Sequence, residues 1–436
     1  NLFIDFEHMF CYYGYTDHKE VLEMSERIVF HIDVNSAYLS WEAVYRLQHG
    51  SPIDLRDVPS IVGGDQEKRH GIVLAKSIPA KKYGIITGET VHSAFEKCPE
   101  LVMVPPCYPR YIRASDSMVE LLGKYSPFIQ RYSIDEVFLE YIDAERPFME
   151  AATEMGRRIR EELGFTVNIG IGPNKLLAKM ASDFSKPDKI HTLFKEDIPE
   201  KLWPLPVEEL FMVGSRTKKK LNGRGIFTIR QLAELDRDYI HSWLKKPGLL
   251  IWEYANGIES SPVRSGAVPL KSVGNSTTMP FDVETREEAH KVLLAISEMI
   301  GLRVRDLDMC GGVVSVSLKN HLFYHYSHQR KLNIPTDSTN AIYRVARSLF
   351  DEMWQGEPMR NFSINLSHLE SNDFFQLSML GSQNKKEQQL DDVIDRIRLK
   401  YGQRSVYRSC FLYSGIDPVI GGVIMEESYP MMSSYL

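Results

Sequence analysis

Two short acidic segments carry the residue types best suited to chemistry. One is YSIDE at residues 132–136, in which Asp135 and Glu136 are adjacent, and the other is HIDVNSAY at residues 31–38, which contains Asp33. Each lies beside an apolar, β-branched run, which predicts that buried strands carry both segments. Three carboxylates on neighbouring strands could hold two divalent cations about 3.5–4 Å apart, as in-line phosphoryl transfer requires. Oxygen ligands suit Mg²⁺, a hard cation that keeps part of its water shell.

Each segment alone has a simpler interpretation. A lone Asp at the end of a strand is commonly a turn former or a helix N-cap, and an Asp-Glu pair is commonly solvated. The two segments together favour the metal-binding interpretation.

Composition limits the class of protein. The chain has 436 residues, of which 43% are hydrophobic and 25% charged, and this predicts a soluble protein with several domains. We find no apolar run long enough to span a bilayer and no signal-peptide pattern, so we expect no membrane association. Five scattered cysteines offer no zinc spacing and fit a reducing cytosol. The net charge of −6 argues against non-specific coating of DNA but allows a local basic groove.

Periodicity predicts a mixed α and β unit up to about residue 190, and short helices punctuated by Pro and Gly after it. Residues 260–266 have the composition of a linker. The pattern predicts strands at 27–32, 137–139, 165–171 and 311–318. It predicts helices at 36–46, 150–163, 175–183, 287–303, 341–354 and 390–401.

The two acidic segments resemble the catalytic motifs of the Y-family translesion DNA polymerases. The family's second motif, Ser-Ile-Asp-Glu-(Ala/Val)-(Phe/Tyr)-Leu, matches residues 133–139 without a gap. Its first motif matches residues 32–42, with Asn35 in place of the second Asp. The resemblance implies that two Mg²⁺ ions, for which Mn²⁺ could substitute, are bound. The implied metal ligands are Asp33, the Val34 carbonyl oxygen, Asp135 and Glu136.

Tyr38 falls at the position of the family's steric gate, an aromatic residue that excludes the ribose 2′-hydroxyl. It follows Asp33 by five residues, which places it in the first turn of the next helix. The alternative is that Tyr38 is a core aromatic residue of that helix.

The resemblance also implies a multidomain α+β fold. This is a right-hand polymerase with a ferredoxin-like palm, small fingers, a helical thumb that contains a helix-hairpin-helix, and an α+β little finger. The implied domains are an N-terminal extension at 1–26, a palm at 27–190 with fingers inserted at about 39–95, a thumb at 191–262, a little finger at 268–380 and a C-terminal tail at 381–436.

Residues 74–85, LAKSIPAKKYGI, resemble the family's fingers motif, in which a Tyr and an Arg contact the incoming triphosphate. Here Ile78 and Lys81 stand at those positions. Ile78 cannot donate a hydrogen bond, and a lysine lacks the bidentate fork of arginine. Lys81 and the neighbouring Ser77 are therefore the predicted nucleotide ligands, and a solvated basic helix start is the alternative.

Residues 170–179, GIGPNKLLAK, resemble a family motif that places a lysine near the β and γ phosphates. A lysine at a strand-to-helix turn is also physically suited to phosphate. Lys175 is therefore a predicted nucleotide ligand, although an ordinary β-to-α turn would look the same.

Two further segments predict contacts to the DNA backbone. Residues 212–226, MVGSRTKKKLNGRGI, resemble a helix-hairpin-helix, although Ser215 and Arg216 replace the last two residues of the usual Gly-Ile-Gly. Residues 271–276, KSVGNS, resemble the start of the little finger. Both could hold phosphates without reading sequence, and polar turns are the alternative. The predicted DNA contacts are Gly214, Arg216, Lys218, Lys271 and Ser272.

Residues 376–380, QLSML, resemble the pentapeptide that docks in the bacterial sliding clamp. The predicted clamp contacts are Gln376, Leu377, Met379 and Leu380. Such pentapeptides also arise by chance, but the position at a domain end before a polar stretch favours clamp binding.

These observations predict a monomeric cytoplasmic DNA polymerase that performs low-fidelity translesion synthesis from deoxyribonucleoside triphosphates on primer-template DNA. Two alternatives stay open. One is a catalytically silent relative that binds DNA or the clamp, and the other is a nucleotidyl cyclase with a similar palm. Within the family, Lys81 in place of Arg and the long tail favour a polymerase V-like protein over a polymerase IV-like one.

Overall fold

The computed structural model describes residues 27–65, 71–266, 270–372 and 385–419. The predicted N-terminal extension and the clamp pentapeptide at 376–380 lie outside these ranges. The strands are β1 Ile28–Val34, β2 Ser60–Gly63, β3 Val73–Lys76, β4 Val102–Val104, β5 Ile129–Arg131, β6 Glu136–Tyr141, β7 Val167–Gly172, β8 Ile190–Thr192, β9 Ser272–Val283, β10 Met309–Asn320, β11 His325–Thr336 and β12 Met359–Ser371.

The helices alternate with these strands in the first part of the chain and cluster in the thumb region. They are α1 Ala37–Gln48, α2 Ile78–Lys82, α3 Val91–Lys97, α4 Tyr108–Leu122, α5 Phe148–Arg158, α6 Lys175–Asp183, α7 Ser215–Asn222, α8 Ile229–Ala233, α9 Arg237–Ala255, α10 Arg286–Asp306, α11 Thr339–Met353 and α12 Lys385–Tyr401. Within the described ranges, no helix is both long and apolar enough to cross a membrane.

A five-stranded sheet of order β5-β6-β1-β7-β8 forms the centre of the predicted palm. β1 is its middle strand and pairs antiparallel with both β6 and β7. Alternate β1 residues point to opposite faces, so Phe30 and Ile32 pack in the core formed with α4 and α5, while Val29 packs with Ala178 of α6. Helices therefore cover both faces of the sheet, and the apolar run that predicted this strand is buried from Val29 to Ile32.

A small sheet of order β3-β2-β4 forms the region predicted as fingers. It extends beyond the predicted boundary at residue 95, which falls inside α3, because Val102–Val104 pairs with Ser60–Gly63. α1 does not belong to this unit alone. Its Trp41 packs in the palm core, while Leu39 packs with the small sheet. We propose that the fingers span about residues 49–107.

Helices α7, α8 and α9 form the core of the predicted thumb. α8 begins with a capping box, in which Thr228 and Gln231 each satisfy the backbone N–H of the other. α9 is broken at Lys245, whose φ is 57°, two residues before Pro247, which cannot continue the hydrogen-bond pattern of a helix.

A four-stranded antiparallel sheet of order β11-β10-β12-β9 forms the predicted little finger, with α10 and α11 packed on one face. The chain after residue 384, predicted as a separate tail, belongs to this unit. Phe411 and Ile416 are buried in its core, and Arg398 of α12 pairs with Glu298 of α10. We therefore propose that the little finger includes residues 385–419.

The predicted elements mostly match the observed ones in type and place. The predicted strands correspond to β1, β6, β7 and β10, and the predicted helix at 175–183 is α6. The helix predicted at 150–163 divides into α5 and a π-helix, Ile159–Leu163. The helix predicted at 390–401 begins earlier, at Lys385.

Candidate active site

The sheet brings the three predicted catalytic carboxylates together at one end of two neighbouring strands. Asp33 near the end of β1 lies opposite Glu136 at the start of β6. The Val34 backbone N–H donates a hydrogen bond of 3.0 Å to the carbonyl oxygen of Asp135. The prediction that neighbouring strands carry the two acidic segments is confirmed.

Asp33 is buried and contacts a lysine that the sequence did not identify. The Lys186 Nζ donates to Asp33 Oδ2 and also lies 2.8 Å from Asp183 Oδ1. Burial raises the pKa of Asp33 to about 6, although the Lys186 cation opposes that rise. The Ser-Lys-Pro run after α6 was visible in the sequence. Only the fold, however, shows that Lys186 meets a carboxylate 153 residues away.

Glu136 contacts a second lysine. The Lys179 Nζ of α6 donates to Glu136 Oε1 at 2.6 Å. Glu136 Oε2 is buried and has no hydrogen-bond partner among the described residues. Asp135 is held differently, since the Ser133 hydroxyl donates to its Oδ1 at 2.6 Å.

These residues fit a hard divalent cation. Across the described ranges, no three His, Cys, Asp or Glu side chains stand grouped to hold a metal ion as they are, and Asp33 and Glu136 each contact a lysine. The donors are nevertheless carboxylate oxygens, the ligands that Mg²⁺ and Mn²⁺ prefer. A buried carboxylate oxygen without a partner, such as Glu136 Oε2, is costly unless a ligand covers it. Metal binding here would exchange the lysine contacts for the cation.

The hydrogen bonds of Asn35 show how the site accommodates an asparagine where the family has an aspartate. Its Oδ1 accepts hydrogen bonds of 2.9 Å from both the Thr166 hydroxyl and the Asp188 N–H. Its Nδ2 donates to Asn168 Oδ1 at 3.0 Å. An aspartate could not make that last contact because it has no N–H. Asn35 thus joins the end of β1 to β7 and to the loop that carries Lys186.

Tyr38 is the second residue of α1, as predicted. The helix follows Ser36, which has a left-handed φ of 49°. The Tyr38 ring stacks on Tyr111, with centroids 4.6 Å apart and planes at 14°, and meets the edge of Tyr108. Burial raises the pKa of Tyr38 to about 12. The ring is therefore half-buried and held in place, and its role as steric gate stays a prediction.

The structure does not support Ser77 as a nucleotide ligand. Its hydroxyl donates to the Val58 carbonyl oxygen at 2.7 Å and accepts from the N–H groups of Ser60 and Ala80. The side chain is buried and caps α2, so its donor is already used. Lys81 lies on the exposed side of α2 and remains available.

The structure does not support Lys175 as a phosphate ligand either. Its side chain is fully buried, and its Nζ donates to Gln130 Oε1 at 3.2 Å. Burial lowers the pKa of Lys175 to about 8. The lysine nearest the catalytic carboxylates on the same helix is Lys179, one turn later.

The predicted DNA contacts lie at the surface of two units. Gly214 precedes α7, and a side chain added there would meet no described atom within 4 Å. Arg216 is exposed, whereas the Lys218 Nζ is 2.6 Å from Glu208 Oε1. Lys271 is exposed just before β9, and the hydroxyl of Ser272 accepts a hydrogen bond of 3.3 Å from the Asn365 amide.

Comparison with protein families matches the palm, the fingers, part of the thumb and the little-finger sheet to models of one group. A model described as the impB/mucB/samB family matches residues 32–183, and the model of that family's C-terminal domain matches residues 270–379. A third model, described as the IMS family HHH motif, matches residues 195–226.

Individual relatives agree. The chain is 46% identical to a DNA polymerase IV of Clostridium acetobutylicum over 88% of this chain and 98% of the relative. It is 38% identical to DNA polymerase IV 2 of Bacillus subtilis over 89% of this chain and 95% of the relative. A solved Y-family DNA polymerase chimera superposes with a TM-score of 0.70 at 23% identity, covering 79% of this chain and all of the chimera.

The fold neighbour, together with the two helix-bearing sheets and the helix-hairpin-helix match, confirms the predicted multidomain α+β right-hand polymerase fold. The family models and relatives confirm the resemblance of the acidic segments. The chain therefore belongs to the Y-family of translesion DNA polymerases, described also as the impB/mucB/samB family, and is a DNA-directed DNA polymerase.

Proposed function

We propose that this polymerase is a DNA polymerase IV that uses two Mg²⁺ ions held by Asp33, Asp135 and Glu136, with the Val34 carbonyl oxygen as a further ligand. The observation that carries the proposal is the register that sets Asp33 opposite Glu136, with Asp135 bonded to the same strand end. Mn²⁺ would be accepted by the same oxygen donors. When bound, the two ions would lower the pKa of the primer hydroxyl and neutralise charge on the triphosphate.

The protein side chains would divide the remaining work. Asp135 would bind the ions together with Asp33 and Glu136, because its backbone is bonded to Val34, the residue after Asp33, at the same strand end. Lys186, once released from Asp33, would be an exposed cation beside the triphosphate, and Lys81 would add a second cation from α2. Tyr38 would stand against the sugar and exclude a 2′-hydroxyl.

DNA would be held by the predicted contacts of α7 and β9 and by the open face of the little-finger sheet. A row of four serines crosses that sheet in register, and none of the four is buried. Hydroxyl groups can hold phosphates without reading base sequence, which suits a polymerase that must accept any template. The serines are Ser327, Ser317, Ser363 and Ser276.

The names of the relatives favour a polymerase IV-like protein over the polymerase V-like one that Lys81 and the tail suggested. We propose a cytoplasmic monomer that engages the bacterial sliding clamp through residues 376–380. Tethering would raise the local concentration of polymerase at the primer end without changing the chemistry. Deleting residues 376–380 should leave synthesis on short primers unchanged and remove stimulation by the clamp. A deletion variant that binds the clamp as tightly as the parent in a calorimetric titration would refute this assignment.

The main test is single-nucleotide insertion by the purified protein on undamaged and damaged primer-templates, with Mg²⁺, Mn²⁺ or a chelator. Insertion opposite lesions that needs either ion is expected. Activity that persists in chelator would contradict the metal assignment. A protein that binds primer-template but never extends it would be a silent relative. Cyclic nucleotide formed without DNA would instead indicate the cyclase.

A further inference from the structure

The environment of Lys179 is unusual for a lysine. Its side chain is only 9% exposed, and its ammonium lies 2.6 Å from Glu136 Oε1. The ammonium also lies over the rings of Tyr132 and Phe211, at 5.2 Å and 5.6 Å from their centroids. A catalytic carboxylate and two aromatic faces thus surround one buried cation.

A buried histidine offers a second acceptor beside the same carboxylate. The Ser182 hydroxyl donates to the Lys179 carbonyl oxygen at 2.8 Å, so it can only accept from His31 Nδ1, which is also 2.8 Å away. The proton of the neutral ring therefore sits on Nδ1, and Nε2 carries a lone pair. Nε2 is buried without a hydrogen-bond partner in the described part of the chain and lies 3.9 Å from Glu136 Oε1.

We propose that Lys179 is a positioning residue that serves as the counter-cation of Glu136 until a divalent ion binds, with His31 Nε2 placed to accept the displaced ammonium. The inference rests on the proposed function in one respect, since it takes Glu136 to be a metal ligand. Lys179 holds one carboxylate oxygen, and the other stays buried with no described partner. The carboxylate is thus oriented, yet not fully coordinated.

The consequence can be measured without any reaction. A buried carboxylate that loses its counter-charge destabilises a protein strongly. In the metal-free protein, Lys179→Met should therefore lower Tm. A divalent ion then replaces the missing charge, so it should stabilise the variant more than the parent, because binding to the native state adds stability.

Lys175→Met is a matched control. Lys175 is on the same helix and is also buried, but its ammonium donates to the neutral amide of Gln130. The nearby Glu259 carboxylate accepts from the Lys175 backbone N–H and not from the ammonium. Lys179→Arg keeps the charge and should restore the parent's response. The double variant Glu136→Gln, Lys179→Met removes both charges and should lose the additional response.

The experiment is thermal unfolding of the full chain, without DNA or nucleotide, in chelator and then in a titration of Mn²⁺. The expected result is a Tm increase for Lys179→Met that exceeds the parent's by at least about 2 °C, while Lys175→Met responds as the parent does. Equal increases for the parent and Lys179→Met would overturn the proposal but leave the metal site intact. No increase in any variant would overturn the metal assignment and, with it, the proposal.

A Lys179→Met protein that does not fold in chelator would still be informative. If the double variant then folds, the unpaired carboxylate caused the failure, as proposed. If the double variant also fails to fold, Lys179 is needed for packing, and the proposal is wrong.

Discussion

Two largely enclosed glutamates of this polymerase are held in opposite ways. Glu298 in the little finger has both oxygens covered by arginines, Oε2 by Arg398 and Oε1 by Arg408, each at 2.6 Å. Glu136 in the palm has one oxygen on Lys179 and the other without a partner among the described residues. Their side chains are 5% and 15% exposed, so burial alone does not separate them.

The two glutamates differ in how many of their carboxylate oxygens have a hydrogen-bond partner in the protein. Glu298 is a fixed cross-link between α10 and the C-terminal segment, because an arginine from that segment covers each of its oxygens. A carboxylate with an open position and one exchangeable cation can accept a metal ion. In the described part of this molecule, incomplete hydrogen bonding separates Glu136 of the proposed metal site from Glu298, which joins elements of the little finger.

The largest expected effect is on catalysis, at the palm carboxylates beside Glu136. Asp135→Asn should reduce primer extension by several orders of magnitude, since an amide cannot supply the charge that two cations need. DNA binding should change little, and Glu136→Gln should be damaging to a smaller extent. Rapid-quench insertion assays with a parallel DNA-binding titration measure both effects. Near-normal turnover would contradict the assignment of the second acidic segment.

Substitution of Glu298 in the little finger should lower the stability of the protein rather than its rate of synthesis. Glu298→Ala would leave Arg398 buried without its carboxylate and should cost about 3–5 kcal/mol in the free energy of unfolding. Denaturant unfolding of this variant and of Glu136→Ala provides the comparison. We expect Glu136→Ala to lose activity with a smaller loss of stability, because His31 Nε2 is placed to accept the Lys179 ammonium that has lost its carboxylate. If the two variants were equally destabilised, the distinction between a structural glutamate and a metal-binding one would be contradicted.

Sugar selection should depend on the ring of Tyr38. Tyr38→Ala should raise the efficiency of ribonucleotide incorporation relative to deoxyribonucleotide on the order of tenfold to a hundredfold, because a clash with the 2′-hydroxyl is removed. Steady-state kinetics with both sugars give the ratio. A thermal melt is needed as well, since the ring stacks on Tyr111. Loss of both activities at an unchanged ratio, with a lower Tm, would show a core residue.

The smallest effect is a pH dependence of stability in the chelated protein. Burial raises the pKa of Asp33 to about 6, so its contribution to stability is present at low pH and is lost as the pH rises through that value. Asp33→Asn does not titrate. Its Tm relative to the parent should therefore increase between pH 5 and pH 7. A difference in Tm that is constant over this range would contradict the raised pKa.

The sequence predicted the features that depend on neighbouring residues. The apolar run of β1 and the spacing of α6 identified both elements, and the acidic segments identified the strands that pair. The partners of the lysines could not be predicted from the sequence, because they depend on the fold. Lys175 and Lys179 are one helical turn apart and share a face. Only the packing of α6 on the sheet decides which of them meets Glu136 and which meets Gln130.

The tail was misjudged for a related physical reason. The sequence predicted a helix at 390–401 inside a separate tail, but Asp391, Asp395 and Arg398 of that helix are buried in the structure. Asp395 pairs with Arg305 of α10, and Asp391 accepts the backbone N–H of Thr339 at the start of α11. Such pairs join residues far apart in the chain, and hydrophobic periodicity carries no information about them.

The left-handed turn at Ser36 has a consequence for how sugar selection can change over evolution. The backbone passes from strand to helix within residues 34–37, so the path from Asp33 to Tyr38 contains no loop that could absorb an extra residue. One inserted residue in the first turn of α1 would rotate the tyrosine ring about the helix axis by about 100°. Insertions and deletions here would separate the sugar contact from the metal ligands. With Tyr38 as the predicted steric gate, we expect sugar preference to change by substitution at position 38 and not by a change in length.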